Sequence, residues 1–181
     1  MTAAPDSAVL ASTQRWLERA VIGLNLCPFA KAEHVHGRIR YAVSAAKTEA
    51  ALLRDLAHEA KHLVAQDPLR TETTLLIAPQ VLQDFLDFND FLDQADALLE
   101  DLALDGILQV ASFHPQYQFA GTHADDMDNY SNRAPFPTLH LLREASVERA
   151  VAAFPEAEMI YERNIAILRQ LGHAGWAKML A

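Results

Sequence analysis

Residues 73–78 read TTLLIA, and this run decides the fold class. An apolar stretch of strand length without polar alternation is the pattern of a strand covered on both faces, and such strands sit in sheets flanked by helices. Upstream, residues 38–45 (RIRYAVSA) alternate Ile39, Tyr41 and Val43 against Arg38, Arg40 and Ser44, the period of a second strand. Between the two, Thr48 opens a helical pattern with Leu52, Leu53, Leu56, Ala60, Leu63 and Val64 on one face, stopped by Asp67-Pro68. Downstream, a long helix is expected from Gln80, carrying Leu82, Phe85, Leu92, Ala95, Leu99 and Leu102 in near-heptad spacing. Residues 106–113 (GILQVASF) form a third strand and residues 139–142 a short fourth. Ser12 or Thr13 is expected to cap a first helix bearing Trp16, Leu17, Ala20, Val21 and Leu24, with residues 1–11 loose ahead of it. Two helices close the chain, split by Pro155, with Gly172 as the C-cap of the second.

Strands alternating with amphipathic helices predict an α/β fold. The expectation is one domain over residues 12–181, a small mixed, partly parallel sheet of about four strands flanked by amphipathic helices in two or three layers. A chain of 181 residues, 51% hydrophobic and 22% charged, can bury a core of that size. The net charge of −9 repels phosphate backbones and anionic headgroups, so neither nucleic acid nor a membrane is an expected partner. No apolar run approaches the roughly 18 residues of a membrane helix. The N-terminus lacks a basic region followed by an apolar core, and Cys27 is the sole cysteine, leaving no internal disulfide. Together these predict a cytoplasmic protein.

Residues 112–140 (SFHPQYQFAGTHADDMDNYSNRAPFPTLH) hold the densest set of chemistry-bearing side chains. A long unpatterned loop in a compact domain is usually functional or disordered, and its aromatics and prolines argue for order. Ligands of open α/β sheets bind beyond the carboxyl ends of strands, which is where His114 emerges, held extended by Pro115. Arg133 is the candidate for gripping a carboxylate or phosphate in a bidentate fork. Asn129, Asn132, Tyr130, Tyr117 and His140 are candidate ligand contacts, and Asp125 and Asp126 are candidate bases or ligands of a hard cation. Arg40, with Arg38, Lys31, His34 and His36, makes a modest positive cluster suited to one small anion. The plainer alternative is that Asn and Asp build turns, Arg133 bridges loop to helix and His114 caps the sheet.

Cys27 precedes Pro28, and proline favours the first position of a helix, so Cys27 is expected at the N-cap of a short helix through Lys31. There the peptide dipoles would favour the thiolate, a candidate nucleophile or metal ligand. The alternative is a buried small hydrophobe. His34 and His36, with Cys27 and His114, lack the spacing of a zinc motif, and no metal site is assigned. The chain contains no glycine-rich phosphate loop, nucleophile elbow or His-Glu-x-x-His motif, and no motif names a cofactor.

Five segments carry a resemblance: TQRWLERAVIGLNLCPFAKA (13–32), DFLDFNDFLDQAD (84–96), ASFHPQYQFAG (111–121), NYSNRAPFPTLHLLREASVERAV (129–151) and ERNIAILRQLGHAGW (162–176). They resemble a bacterial family known as domain of unknown function 1415. The likeness covers nearly the whole chain after the first dozen residues. It implies a bacterial, cytosolic, single-domain protein and assigns no activity and no catalytic residue. From the residues themselves, the first expectation is an enzyme acting on an anionic metabolite, with Arg133 and Asn132 on the anion, His114 or an Asp moving protons and Cys27 as nucleophile. The second is a non-catalytic module for a small ligand, metal or haem. The third is an interaction protein that pairs, for instance as a homodimer, through its near-heptad helix.

Overall fold

The structure, a computed structural model, describes residues 6–153 and 157–181. In chain order the elements are α1 (Asp6–Trp16), a π-helical segment (Leu17–Ile22), α2 (Ala30–Val35), β1 (Ile39–Val43), α3 (Glu49–Ala65), β2 (Thr73–Ile77) and α4 (Phe85–Asp101). They continue with β3 (Leu108–Phe113), a 3-10 turn (Met127–Asn132), β4 (Thr138–Arg143), α5 (Glu144–Ala153) and α6 (Ala157–Leu180). The strands make one mixed sheet in the order β1-β2-β4-β3. β1 and β2 are parallel, joined by the α3 crossover, while β4 is inserted antiparallel to both β2 and β3. All five residues of β2 are buried, as the apolar run predicts.

Each face of the sheet carries its own core. On one face Leu52, Leu56 and Leu63 of α3 and Phe88, Phe91 and Leu99 of α4 pack on Leu76, Leu139 and Leu141. Burying one such side chain contributes about 1.5–3 kcal/mol, enough to hold both helices down. The near-heptad residues of α4 are thus used inside the chain. On the other face Trp16, Leu17, Val21, Leu168 and Trp176 gather around Ile39, Tyr41 and Phe113. The period-two pattern explains the division, because Leu139 and Leu141 point one way while His140 and Leu142 point the other.

Local expectations differ from the structure at four places. The first helix begins at Asp6, so residues 6–11 of the stretch expected to be loose are helical. Thr13 lies inside that helix, its hydroxyl bonding back to the Val9 carbonyl at 2.9 Å rather than capping. The long helix starts at Phe85, not Gln80, because the Asp84 carboxylate accepts from the Leu86 and Asp87 amides and Leu82 adopts φ 56°. Gly172 takes φ 64°, as a C-cap should, but helix resumes beyond it and runs to Leu180. The split expected at Pro155 lies outside the described residues. Thr48 caps α3 as expected, accepting from the Ala51 amide. Among the described residues no helix is long and apolar enough to cross a membrane.

Candidate functional site

Val43 pairs with Ile77, and Ile77 and Phe113 both pair with Thr138, so β1, β2 and β3 end together and the long loop leaves from that end. Its polar side chains are turned onto its own backbone. Asn129 is fully buried; its Oδ1 accepts from the Phe119 amide at 2.9 Å and the Thr122 hydroxyl at 2.8 Å, and its Nδ2 donates to the His123 carbonyl at 2.8 Å. Asn132 donates to the Ser112 carbonyl at 3.2 Å. Arg133 donates to the carbonyls of Tyr117 and Ala124, and its guanidinium lies 4.4 Å from the centre of the Tyr130 ring. Asp126 accepts from the His123 amide, whereas Asp125 is exposed and contributes its backbone carbonyl to His173. The Tyr117 ring meets Phe85 at a tilt, 5.1 Å between centroids, and Phe119 edge-on at 4.9 Å.

His114 is buried between the Phe85 and Phe88 rings. Nε2 faces the Leu82 carbonyl at 3.1 Å, and Nδ1 accepts from the Gln116 amide at 3.0 Å. A carbonyl accepts and an amide donates, so the ring is the neutral Nε2–H tautomer. Burial pushes its pKa below the usual histidine value, against the pull of the Leu82 carbonyl and Asp84. The bonded carbonyl belongs to Leu82, the residue with φ 56°, so His114 clamps a strained backbone position at the start of α4. His114, Asn129, Asn132 and Arg133 therefore build the loop and tie it to the sheet.

An apolar hollow lies elsewhere. A cavity of about 610 Å³ sits on the second face of the sheet, walled by the π segment, α2 and α5. Its floor is made by Thr73, Leu75, Ala111, Phe113, His140 and Leu142, and it reaches the end of the sheet where β1, β2 and β3 begin. That is the end opposite the loop. The carboxyl-end rule applies to doubly wound parallel sheets, and here only one strand pair is parallel. Leu17, Val21, Phe29, Val147 and Ala150 supply apolar walls. At the rim Arg38 and Glu33 form an ion pair at 2.8 Å, Arg149 donates to the Ser146 hydroxyl at 2.8 Å, and Glu72 stands nearby. Arg143 borders the cavity while one of its terminal nitrogens donates to the Leu63, Gln66 and Thr71 carbonyls, closing the end of α3.

Of the residues singled out from sequence, Cys27, His140 and Arg38 share this cavity. Cys27 is half-buried in the turn before α2, its carbonyl accepting from Ala30, and Phe29 rather than Cys27 occupies the N-cap. His140 bonds Thr73 through Nε2 at 2.7 Å. Arg40 is on the opposite face, in a bidentate pair with Glu59 on α3 at 2.7 and 3.0 Å. Arg133 and Tyr130 line a third place, a depression of about 370 Å³ with Arg15, Trp16 and Trp176. A groove of about 720 Å³ between the starts of α3 and α4 is lined by Lys47, Glu49, Asp84 and Asp87, with Asp84 spent on its helix cap. Among the described residues no three His, Cys, Asp or Glu side chains cluster as a metal site. Thr73 went unrecognised as a site residue in the sequence. The signal was there, since a polar residue opening a fully buried strand needs a partner.

No curated protein matches the chain, and no solved structure does. A family profile matches residues 8–178, which is nearly the full length. The protein belongs to the family described as protein of unknown function DUF1415.

Proposed function

We propose that this protein binds a small, mainly apolar molecule in the cavity under the sheet. One observation carries the reading. The helices α2 and α5 both wall the cavity, and neither contains a single buried residue. Amphipathic helices settle on a sheet by burying side chains in a close-packed interior. Here Val147 and Ala150 face a hollow instead, and Ala30 lines the same hollow beside its packing on the second core. A space of about 610 Å³ falls within the range of small-molecule sites, and its walls are apolar with few polar groups, as such sites require.

Titration with the uncharged dye Nile red tests the reading. The expected result is a saturable fluorescence increase at one equivalent, abolished by Ala111→Phe, which fills the floor. Saturating n-octanol is expected to raise the melting temperature, by linkage of binding to the folded state. Native protein that takes up neither compound would sink the proposal.

A second reading keeps an anionic metabolite as ligand and places it in the depression beside Arg133. The supporting observation is that Arg15 and Arg133 both line this depression, with aromatic neighbours and no acidic residue, in a chain of net charge −9. Benzoate shifting the Trp176 and Tyr130 resonances of the native protein, but not of Arg15→Ala, would support it. For the compartment we infer the bacterial cytoplasm, on the single cysteine and the acidic balance.

A further inference from the structure

The floor of the cavity carries a hydrogen-bond chain whose polarity can be worked out. Thr73 has one hydroxyl proton. Its Oγ1 lies 2.6 Å from the Leu141 carbonyl oxygen and 2.7 Å from His140 Nε2. The carbonyl only accepts, so the hydroxyl proton goes to it. Oγ1 then has only lone pairs for the imidazole, and Nε2 must carry the proton. The ring is the Nε2–H tautomer, and its Nδ1 is a bare acceptor.

Nothing among the described residues donates to that nitrogen. Thr73 and Leu75 beside the ring are buried and the Phe113 ring lies 6.0 Å from it, whereas His140 is half-buried and lines the cavity. Its remaining accessible surface therefore faces the hollow. We infer that the ligand of this cavity is a neutral, mainly apolar molecule whose polar group, a hydroxyl or amide N–H, donates to His140 Nδ1. The inference rests on the cavity reading above and narrows the class of ligand. A carboxylate at this spot would set lone pair against lone pair. Burial supports the assignment by holding the His140 pKa down at about 4, so the ring does not become a second donor near neutrality. Of the charged groups at the rim, Arg38 is paired with Glu33, Arg143 is held by three carbonyls with its Nε unpartnered, and Arg149 and Glu72 are of opposite sign. Octanoate binding reads whether these cations outweigh the bare Nδ1.

The test compares two isomers, n-octanol and heptyl methyl ether, of equal composition and nearly equal volume, of which only the alcohol donates. One neutral hydrogen bond of about 1 kcal/mol predicts roughly fivefold tighter binding of the alcohol by calorimetry. Octanoate is expected to bind more weakly than the alcohol at pH 7. In His140→Phe the alcohol should lose its advantage while the ether still binds. Thr73 keeps its bond to Leu141 in that variant, leaving no orphaned donor. Independently of any variant, the long-range nitrogen–proton NMR spectrum of the native protein should show His140 protonated at Nε2 and bare at Nδ1. If neither isomer binds, the cavity reading itself is lost and the ligand class with it. Equal binding of alcohol and ether, preferred octanoate, or a proton found on Nδ1 would overturn the ligand class and leave the cavity reading standing.

Discussion

Asn129 holds the long loop through a single amide group. Replacing it with Ala leaves the Phe119 amide and the His123 carbonyl without their partner, while the Thr122 hydroxyl keeps the Phe119 carbonyl at 2.8 Å. At about 1 kcal/mol for each of the two bonds lost, Asn129→Ala should lower stability by about 2 kcal/mol in urea unfolding. Hydrogen exchange should show the Phe119 amide exposed while the amides of β2 stay protected. Unchanged protection at Phe119 would refute this role. From the sequence, Asn129, Asn132 and Arg133 were legible as important, with a ligand-binding and a turn-building role both open. Composition shows which donors and acceptors a loop owns; only the folded path decides whether they meet a ligand or the loop's own backbone. His114 belongs to the same class. Its place at a strand end is readable, whereas its bond to the strained Leu82 depends on a residue 32 positions away.

At the scale of elements, the π-helical segment after α1 turns Leu17 and Val21 toward the cavity and the second core. The chain leaves it through Gly23, whose amide bonds to the Glu18 carbonyl five residues back at 3.0 Å. Gly23 has ordinary helical angles, φ −61° and ψ −38°. At such a position Ala normally stabilises by about 0.4–1 kcal/mol. Here a Cβ would stand 2.2 Å from the Arg19 carbonyl oxygen. The clash outweighs the propensity gain, so Gly23→Ala should lower the melting temperature, by about 1 kcal/mol or more in stability. A stabilised variant would show that the segment relaxes to a regular helix at no cost. Helices α3 and α4 show the opposite relation, with their apolar faces legible in the sequence and found on the sheet as the period demands. The five residues from Gln80 to Asp84 were misread because hydrophobic spacing runs on through the turn, while Asp84 is the group that closes the helix end.

For the whole molecule, the perturbed groups predict how stability follows pH. The folded-state pKa of His140 is about 4, against 6.5 for the free side chain. Between those values the unfolded chain takes up a proton that the folded protein refuses. Stability is full above pH 6.5 and falls by about 3 kcal/mol as pH drops toward 4. His114, also lowered by burial, acts in the same direction. Burial raises the Glu59 carboxyl, but the hydrogen bonds from Arg40 prevail and hold it below 4.5, extending the loss to lower pH. At the alkaline end burial pushes the Tyr41 hydroxyl up to about 12 from 10.0, so stability should fall again across that interval as the unfolded chain ionises first. Urea midpoints should form a plateau from about pH 7 to 10 that declines on both sides. A His140→Phe protein should show a shallower acid limb. An acid limb of unchanged slope would remove His140 as its source.

The sequence alone determined the α/β class, the four strands, the apolar faces of α3 and α4 and the membership of a family. These depend on period and propensity, which are local properties of a chain. Tertiary structure alone decided that β4 enters between β2 and β3, because strand pairing is a long-range choice that no local pattern encodes. That insertion sets His140 beside Leu75 and Ala111 on the face opposite Leu139 and Leu141. It moves the centre of interest from the polar loop to an apolar hollow at the other end of the sheet. A cavity is a space that several distant segments leave unfilled together, and no one segment carries its signature.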